Sequence, residues 1–192
     1  NDFIIQGNFE NSGDYSFVSD GAKPLTIQGN FNNKSDGSFS LSSDNVGGGD
    51  LIVEGNFDDN GTFNANGRAV FFEGGNMQNI NSTSNTLEID AMRIDKSAGE
   101  VIMDANLLIA KTGNPLLFST ANSILNLNGN NLTIGEDGTT SSITYNGGAF
   151  RGTTNSSMTI EGDGTLVGGI VFDSGSNDLA NLTISRNNGL VT

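Results

Sequence analysis

Short runs in which every second residue is Phe, Ile, Leu or Val recur along the whole chain, separated by clusters of Gly, Asn, Asp and Ser. In Leu25-Thr26-Ile27-Gln28 the apolar pair falls on one side of an extended backbone and Thr26 and Gln28 on the other. That period of two marks a strand with one buried face. Three runs share the same continuation: Phe3-Ile4-Ile5-Gln6-Gly7-Asn8-Phe9, Leu25-Thr26-Ile27-Gln28-Gly29-Asn30-Phe31 and Leu51-Ile52-Val53-Glu54-Gly55-Asn56-Phe57. Their glycines stand at 7, 29 and 55, steps of 22 and 26 residues. A loose period of this size, carried by short strands, predicts a chain wound into a solenoid. The glycine reads as a bend where a side chain would crowd the next coil, after which Phe returns to the core.

Each Gly-Asn-Phe unit is followed by a turn and a second strand: Tyr15-Ser16-Phe17, Ser38-Phe39-Ser40-Leu41 and Thr62-Phe63-Asn64-Ala65. Further strands are expected at Val70-Phe71-Phe72, Leu87-Glu88-Ile89, Met92-Arg93-Ile94, Val101-Ile102-Met103 and Leu107-Leu108-Ile109. Beyond Pro115 come Leu116-Leu117-Phe118, Ile124-Leu125-Asn126-Leu127 and Leu132-Thr133-Ile134. No window holds a 3.6-residue apolar pattern, and the steps are too short for a strand–helix–strand unit of about 30 residues. A Greek-key sandwich shares the strand spacing but has no reason to repeat a tripeptide in register. The expected fold is all-β, a right-handed parallel β-solenoid of about 18–26 residues per coil, hence about nine coils and ~40 Å of length. Its core should hold Phe9, Phe31, Phe57, Ile27, Val53, Phe72, Ile134 and Ile160, with the three Gly-Asn-Phe phenylalanines stacked in neighbouring coils.

A longer correspondence overlies the short one. Met158-Thr159-Ile160-Glu161-Gly162 matches Val70-Phe71-Phe72-Glu73-Gly74, and the run from Leu182 to Val191 matches that from Met92 to Val101. The offsets are 88 and 90 residues. Residues 1–192 therefore read as one continuous segment, with Gly-Asn-Phe coils over 1–66 and a super-repeat over 67–192 whose second copy is incomplete. Phe3-Ile4-Ile5 opens on an apolar strand and Leu190-Val191-Thr192 stops within that second copy. Such an uncapped piece of a longer repetitive chain is expected to associate end to end.

Charge narrows the function. Twenty-two acidic residues face 8 basic ones, a formal net charge of −14. Nucleic acid and anionic lipid need a cationic footprint, so neither is an expected partner. Cys and His are both absent. That removes thiolate metal sites, disulfides and any nucleophile–histidine pair.

Strings of the form apolar-Thr-Ile-x-Gly-Asn-Phe, together with Leu125-Asn126-Leu127-Asn128-Gly129-Asn130-Asn131-Leu132-Thr133-Ile134-Gly135, resemble the very large repetitive surface proteins of Bacteroidota. Some of those are gliding-motility adhesins, and many leave the cell through the type 9 secretion system. The matching stretches are 25–41, 51–74 and 87–138, with a partial copy at 157–192. The resemblance implies an extracellular location on a bacterial cell surface. As partners it implies flanking repeats of the same chain, outer-membrane secretion or motility machinery, and a surface polysaccharide.

Candidate chemistry is sparse. Asp58-Asp59 offers a carboxylate pair of the kind glycosidases use. The equivalent positions after the other copies are Glu10-Asn11 and Asn32-Asn33, which mark a variable polar turn instead. Asp and Gly cluster at Ser19-Asp20-Gly21, Ser35-Asp36-Gly37, Glu136-Asp137-Gly138 and Asp163-Gly164, without the spacing of a known calcium loop. Turn formation accounts for them. Thr26, Thr133, Thr159 and Thr183 recur between apolar residues, as outward strand residues do. The Asn-x-Ser/Thr positions at Asn33, Asn60, Asn81, Asn131, Asn155 and Asn181 read as products of composition, and the asparagines as members of hydrogen-bonded ladders at turns. No catalytic, cofactor-binding or metal-binding residue is assigned. The expected function is a non-catalytic structural segment of a secreted adhesin or fibre, the alternatives being a carbohydrate-active β-helix enzyme or a glycan- or ice-binding solenoid.

Overall fold

The computed structural model describes residues 3–18, 23–42, 49–164, 166 and 169–187. Ser19-Asp20-Gly21 and Leu190-Val191-Thr192 lie outside the described residues. In the first three coils the strands are β1 (Phe3–Ile5), β2 (Phe9–Asn11), β3 (Asp14–Phe17), β4 (Leu25–Ile27), β5 (Phe31–Asn33), β6 (Ser38–Leu41), β7 (Leu51–Val53), β8 (Phe57–Asp59) and β9 (Thr62–Asn64). The next three hold β10 (Ala69–Gly74), β11 (Gln78–Ser82), β12 (Leu87–Ile89), β13 (Ala91–Lys96), β14 (Val101–Met103), β15 (Leu107–Ile109), β16 (Gly113–Phe118), β17 (Ile124–Asn126) and β18 (Asn131–Ile134). β19 (Ser141–Tyr145), β20 (Ala149–Arg151), β21 (Ser157–Asp163) and β22 (Asn181–Asn187) follow. From β4 on, each strand pairs in parallel with the one three before it, except that β12 does not pair with β9 and β22 pairs with β21, and no helix occurs among the described residues. The chain is thus a parallel β-solenoid.

The first side is a seven-stranded sheet, β1-β4-β7-β10-β13-β16-β19, and the second is another, β2-β5-β8-β11-β14-β17-β20. The third side is split into β3-β6-β9 and β12-β15-β18-β21-β22. On the first side Phe3, Leu25, Leu51, Val70, Met92, Leu116 and Ile143 stand in one register column, giving coils of 22, 26, 19, 22, 24 and 27 residues. Strand lengths hardly change while the connecting loops absorb the difference. Alternation holds in the inner coils, where Leu25, Ile27, Leu51, Val53, Phe72, Ile94, Phe118 and Ile134 are fully buried, while β1 and β22 at the two ends of the described stack leave Phe3, Ile4, Leu182 and Ile184 exposed. Phe9, Phe31 and Phe57 are register partners on the second side. Their rings stack at 5.7 and 4.8 Å.

Some expectations need correction. Seven full coils and part of an eighth are described rather than about nine, because the coils are longer on average than 22 residues and the stretch after β21 adds only isolated bridges, among them Phe150 to Phe172, before β22. Phe9 is only half-buried, since it belongs to the first described coil and is covered by a neighbouring coil on one side. Pro115 does not precede a strand but lies inside β16, where the register to β19 slips between Gly113 and Leu116. A bulge is where a sheet tolerates a residue without an N–H.

The 88–90-residue correspondence is one of local design, not of place. Val70-Phe71-Phe72 runs on the first side and Met158-Thr159-Ile160 on the third. What the copies share is a corner. Lys96 sits over Gly74 and Arg186 over Gly162, both glycines with positive φ, at +95° and +99°. The Lys96 Nζ donates to the Glu73 carbonyl at 3.2 Å, and the Arg186 Nη1 to the Glu161 carbonyl at 2.8 Å. Glu-Gly followed one coil later by a basic residue is therefore a device for closing a corner, used once on each of two sides.

Candidate functional site

Two columns of side-chain amides run along the axis. In the first, the Oδ1 atoms of Asn8, Asn30 and Asn56 accept from the backbone N–H groups of Asn30, Asn56 and Asn79 at 2.8–2.9 Å. The Asn8 and Asn30 amides occupy the space beneath the glycine of the next coil, Gly29 and Gly55. A Cβ on Gly29 would lie 2.7 Å from the Gly7 carbonyl carbon, and one on Gly55 2.6 Å from that of Gly29. Gly7 has open space instead. The Gly-Asn pair is thus a coil-to-coil joint.

The second column overturns the reading of Asp58-Asp59 as a polar turn. Both residues lie in β8 and face opposite ways. Asp59 is 3% exposed and continues a buried column from Asn11 and Asn33. Asn11 Nδ2 donates to Asn33 Oδ1 at 2.8 Å, and Asn33 Nδ2 to Asp59 Oδ1 at 2.7 Å. Their remaining protons go to the carbonyls of Ser38 and Thr62. Burial pushes the Asp59 carboxyl above its usual range, and the hydrogen bonds from Asn33 and the Gly61 N–H pull it partly back. Asp58 points outward and accepts from Asn81 Nδ2 at 2.6 Å. Carboxylates on opposite faces of one strand cannot flank a common bond. Asn33, one of the sequon asparagines, is fully buried in this column.

Lys96 is the largest buried charge. Its side chain is fully buried, with Nζ 2.5 Å from Gln78 Oε1, and burial lowers its pKa to about 8. Gln78, equally buried, passes its own protons to the carbonyls of Val53 and Gly55. Serine closes two further corners. Ser123 Oγ accepts from the Thr120 N–H and Ser156 Oγ from the Thr153 N–H, each from a Thr-x-x-Ser segment. On the outside of the second side Arg151 clamps Glu100 at 2.6 Å and Asp173 at 2.7 Å. Hydrogen bonding to Asp173 and the charge of Glu100 raise its pKa above the usual arginine value.

The Asp-Gly clusters at 36–37, 137–138 and 163–164 stand at corners of different coils. No group of three Asp or Glu among the described residues is placed to hold a metal ion. Thr133, Thr159 and Thr183 do align in one outward column on the third side, whereas Thr26 stands on the first side between Ile4 and Ile52.

The one interruption of the described stack is the split on the third side. Two residues join β8 to β9 and four join β9 to β10, while four join β11 to β12 and one joins β12 to β13. The third-side strand therefore slides toward the first side between coils three and four, and β9 and β12 do not pair. A polar cavity of about 420 Å³ opens at the step, lined by residues 63–67 with Glu88 and Asp90. A second, of about 270 Å³, lies on its other flank between Asp59–Phe63 and Ser84–Glu88. Phe63 borders both. Sequence patterning shows both strands but not the slide, which depends on loop lengths read against strands already placed.

Comparison with protein-family models, curated proteins and solved structures finds no match for this chain.

Proposed function

We propose that the chain is a non-catalytic structural segment of a large secreted adhesin or fibre on a bacterial cell surface. The observation that supports this most is where the recurrent residues go. The Gly, Asn and Phe of each repeat are used up in contacts between coils, so the repeated part of the sequence specifies a joint and leaves the exterior free to vary. A stack built of such joints grows by adding coils without new topology. The acidic exterior keeps a long rod dissolved and separate from its neighbours. In this reading the partners are flanking repeats of the same chain, the secretion or motility machinery of a Bacteroidota outer membrane, and a surface polysaccharide.

Antibodies raised against the segment test the reading directly. They should label intact cells of the source organism, and external protease should remove the signal. Labelling only after lysis would exclude a surface role. Incubation of the purified segment with polysaccharides should release no new reducing ends, and release of them would make it an enzyme.

A further inference from the structure

We infer that the step between β9 and β12 is a binding site for an uncharged glycan, with the outer face of Phe63 as the platform for one pyranose ring. This goes beyond the scaffold reading and does not depend on it.

The platform arises from the slide. Tyr15, Phe39 and Phe63 form an axial stack with centroids 5.3 and 5.9 Å apart and planes within 15°. The stack is the inner column of β3, β6 and β9, and Phe57 meets the last ring edge-on at 5.2 Å. Where an unbroken sheet would set the next coil's residue on Phe63, β12 has moved aside. The last ring is half-buried and borders both cavities. A pyranose presents a face of C–H groups and an edge of hydroxyls, so it needs an aromatic plane beside hydrogen-bonding side chains.

Those side chains are present. Glu88 is exposed and its carboxylate has no hydrogen-bond or ion-pair partner among the described residues. Asp90 uses one oxygen for the Gly67 N–H at 2.6 Å. Asn64 has only a long bond, 3.4 Å, to Ser40. Carboxylates accept strongly from hydroxyl pairs. Arg68 and Lys111, on the neighbouring corner, donate to the carbonyls of Ser42 and Gly67. Gly67 lines the cavity, so the Lys111 ammonium lies at its rim, but Glu88 and Asp90 outweigh that single charge and an anionic sugar would meet net negative charge. The cavity at about 420 Å³ falls within the range of roughly 300–1,000 Å³ usual for small-ligand sites.

An inserted peptide strand does not fit. A strand between β9 and β12 needs twice the ~4.8 Å spacing of neighbouring strands. Coils three and four stay paired at single spacing through β7–β10 and β8–β11. The step is lateral, open to a ring and too shallow for a backbone.

Affinity electrophoresis of the whole chain through gels containing a β-glucan, a galactan, a mannan or polygalacturonate tests the site. At least one neutral polysaccharide should retard the protein and polygalacturonate should not. Phe63→Leu, which keeps an apolar side chain but removes the ring, and Glu88→Gln should each weaken that retardation tenfold or more. Glu136→Gln, at a distant corner, should leave it unchanged. Glu88 is exposed, so Glu88→Gln decides the matter if Phe63→Leu lowers the melting temperature. No retardation by any neutral polysaccharide, equal retardation of all variants, preference for polygalacturonate, or capture of extended peptides instead would overturn the proposal.

Discussion

A glycine at 29 or 55 is demanded by an asparagine one coil away, so the same residue type has different value at different heights in the stack. Gly29→Ala drives a methyl group against the Gly7 backbone and the Asn8 amide, and should cost about 2–4 kcal/mol. Gly7→Ala meets open space and should change stability by less than about 0.5 kcal/mol. Urea unfolding of the two variants checks this, and equal effects would remove the joint from the explanation. Lys96 gives the chain a pH signature. Its folded pKa of about 8 lies below the ordinary 10.5, so between these values the unfolded chain holds a proton that the folded one does not. Stability should therefore rise with pH through that window, by on the order of 3 kcal/mol in full. Below about pH 8 both states are protonated and the whole burial cost is felt. Tyr145 acts in the opposite sense at higher pH, burial having raised its hydroxyl to about 12. Comparing the parent protein with Lys96→Met between pH 7.5 and 10 isolates the lysine. The parent should gain stability over that range and the variant should not.

At the scale of the element, the strands that share a side do not share an environment. β8 is paired on both edges, while β9 has β6 on one edge and the step on the other. Hydrogen exchange should therefore find amides of β9 and β12 that exchange faster than those of β8 and β11 in the same two coils. Uniform protection would mean that the step closes in solution. Much of this level was legible beforehand. Alternation placed Ile27, Val53, Phe72 and Ile134 inside, and the in-step Gly-Asn-Phe motif set the register of β2, β5 and β8 directly. Asp59 was misread because a strand of three residues leaves too little alternation to separate its last member from the following turn. Asn11 and Asn33 in the matching positions were the available signal, since two amides and a carboxylate at one inward position imply a ladder rather than a variable loop. Lys96 escaped notice because burial of a basic residue depends on Gly74 beneath it and Gln78 beside it, partners a coil apart or across a corner. The step at Phe63 depends on relative loop lengths, which no local pattern encodes.

Over the whole molecule, stacking sets like charges above one another as readily as it sets phenylalanines. Glu73 pairs in register with Asp95 and follows the column of Glu54; burial first, then the charges of Asp95 and Glu54, push its carboxyl above the usual range. A raised carboxyl favours the folded state less as pH climbs through its titration, so at neutral pH this column opposes folding. Glu73→Gln should raise the melting temperature at pH 7 and lose that advantage toward pH 4, and added salt should help the parent more than the variant. A melting temperature indifferent to all three would make the column energetically silent.

The ladders that join the coils run along the rod, and this decides how it bears load. Tension between the two ends parts one coil from the next like a zipper rather than shearing long strands past each other. Each coil that peels away shortens the rod by only ~4.8 Å but releases about 70 Å of chain for a turn of some 22 residues. A tether made this way yields in many small steps, one per coil, and absorbs work over a long extension, so a sudden pull dissipates along the thread before it reaches whatever the far end holds.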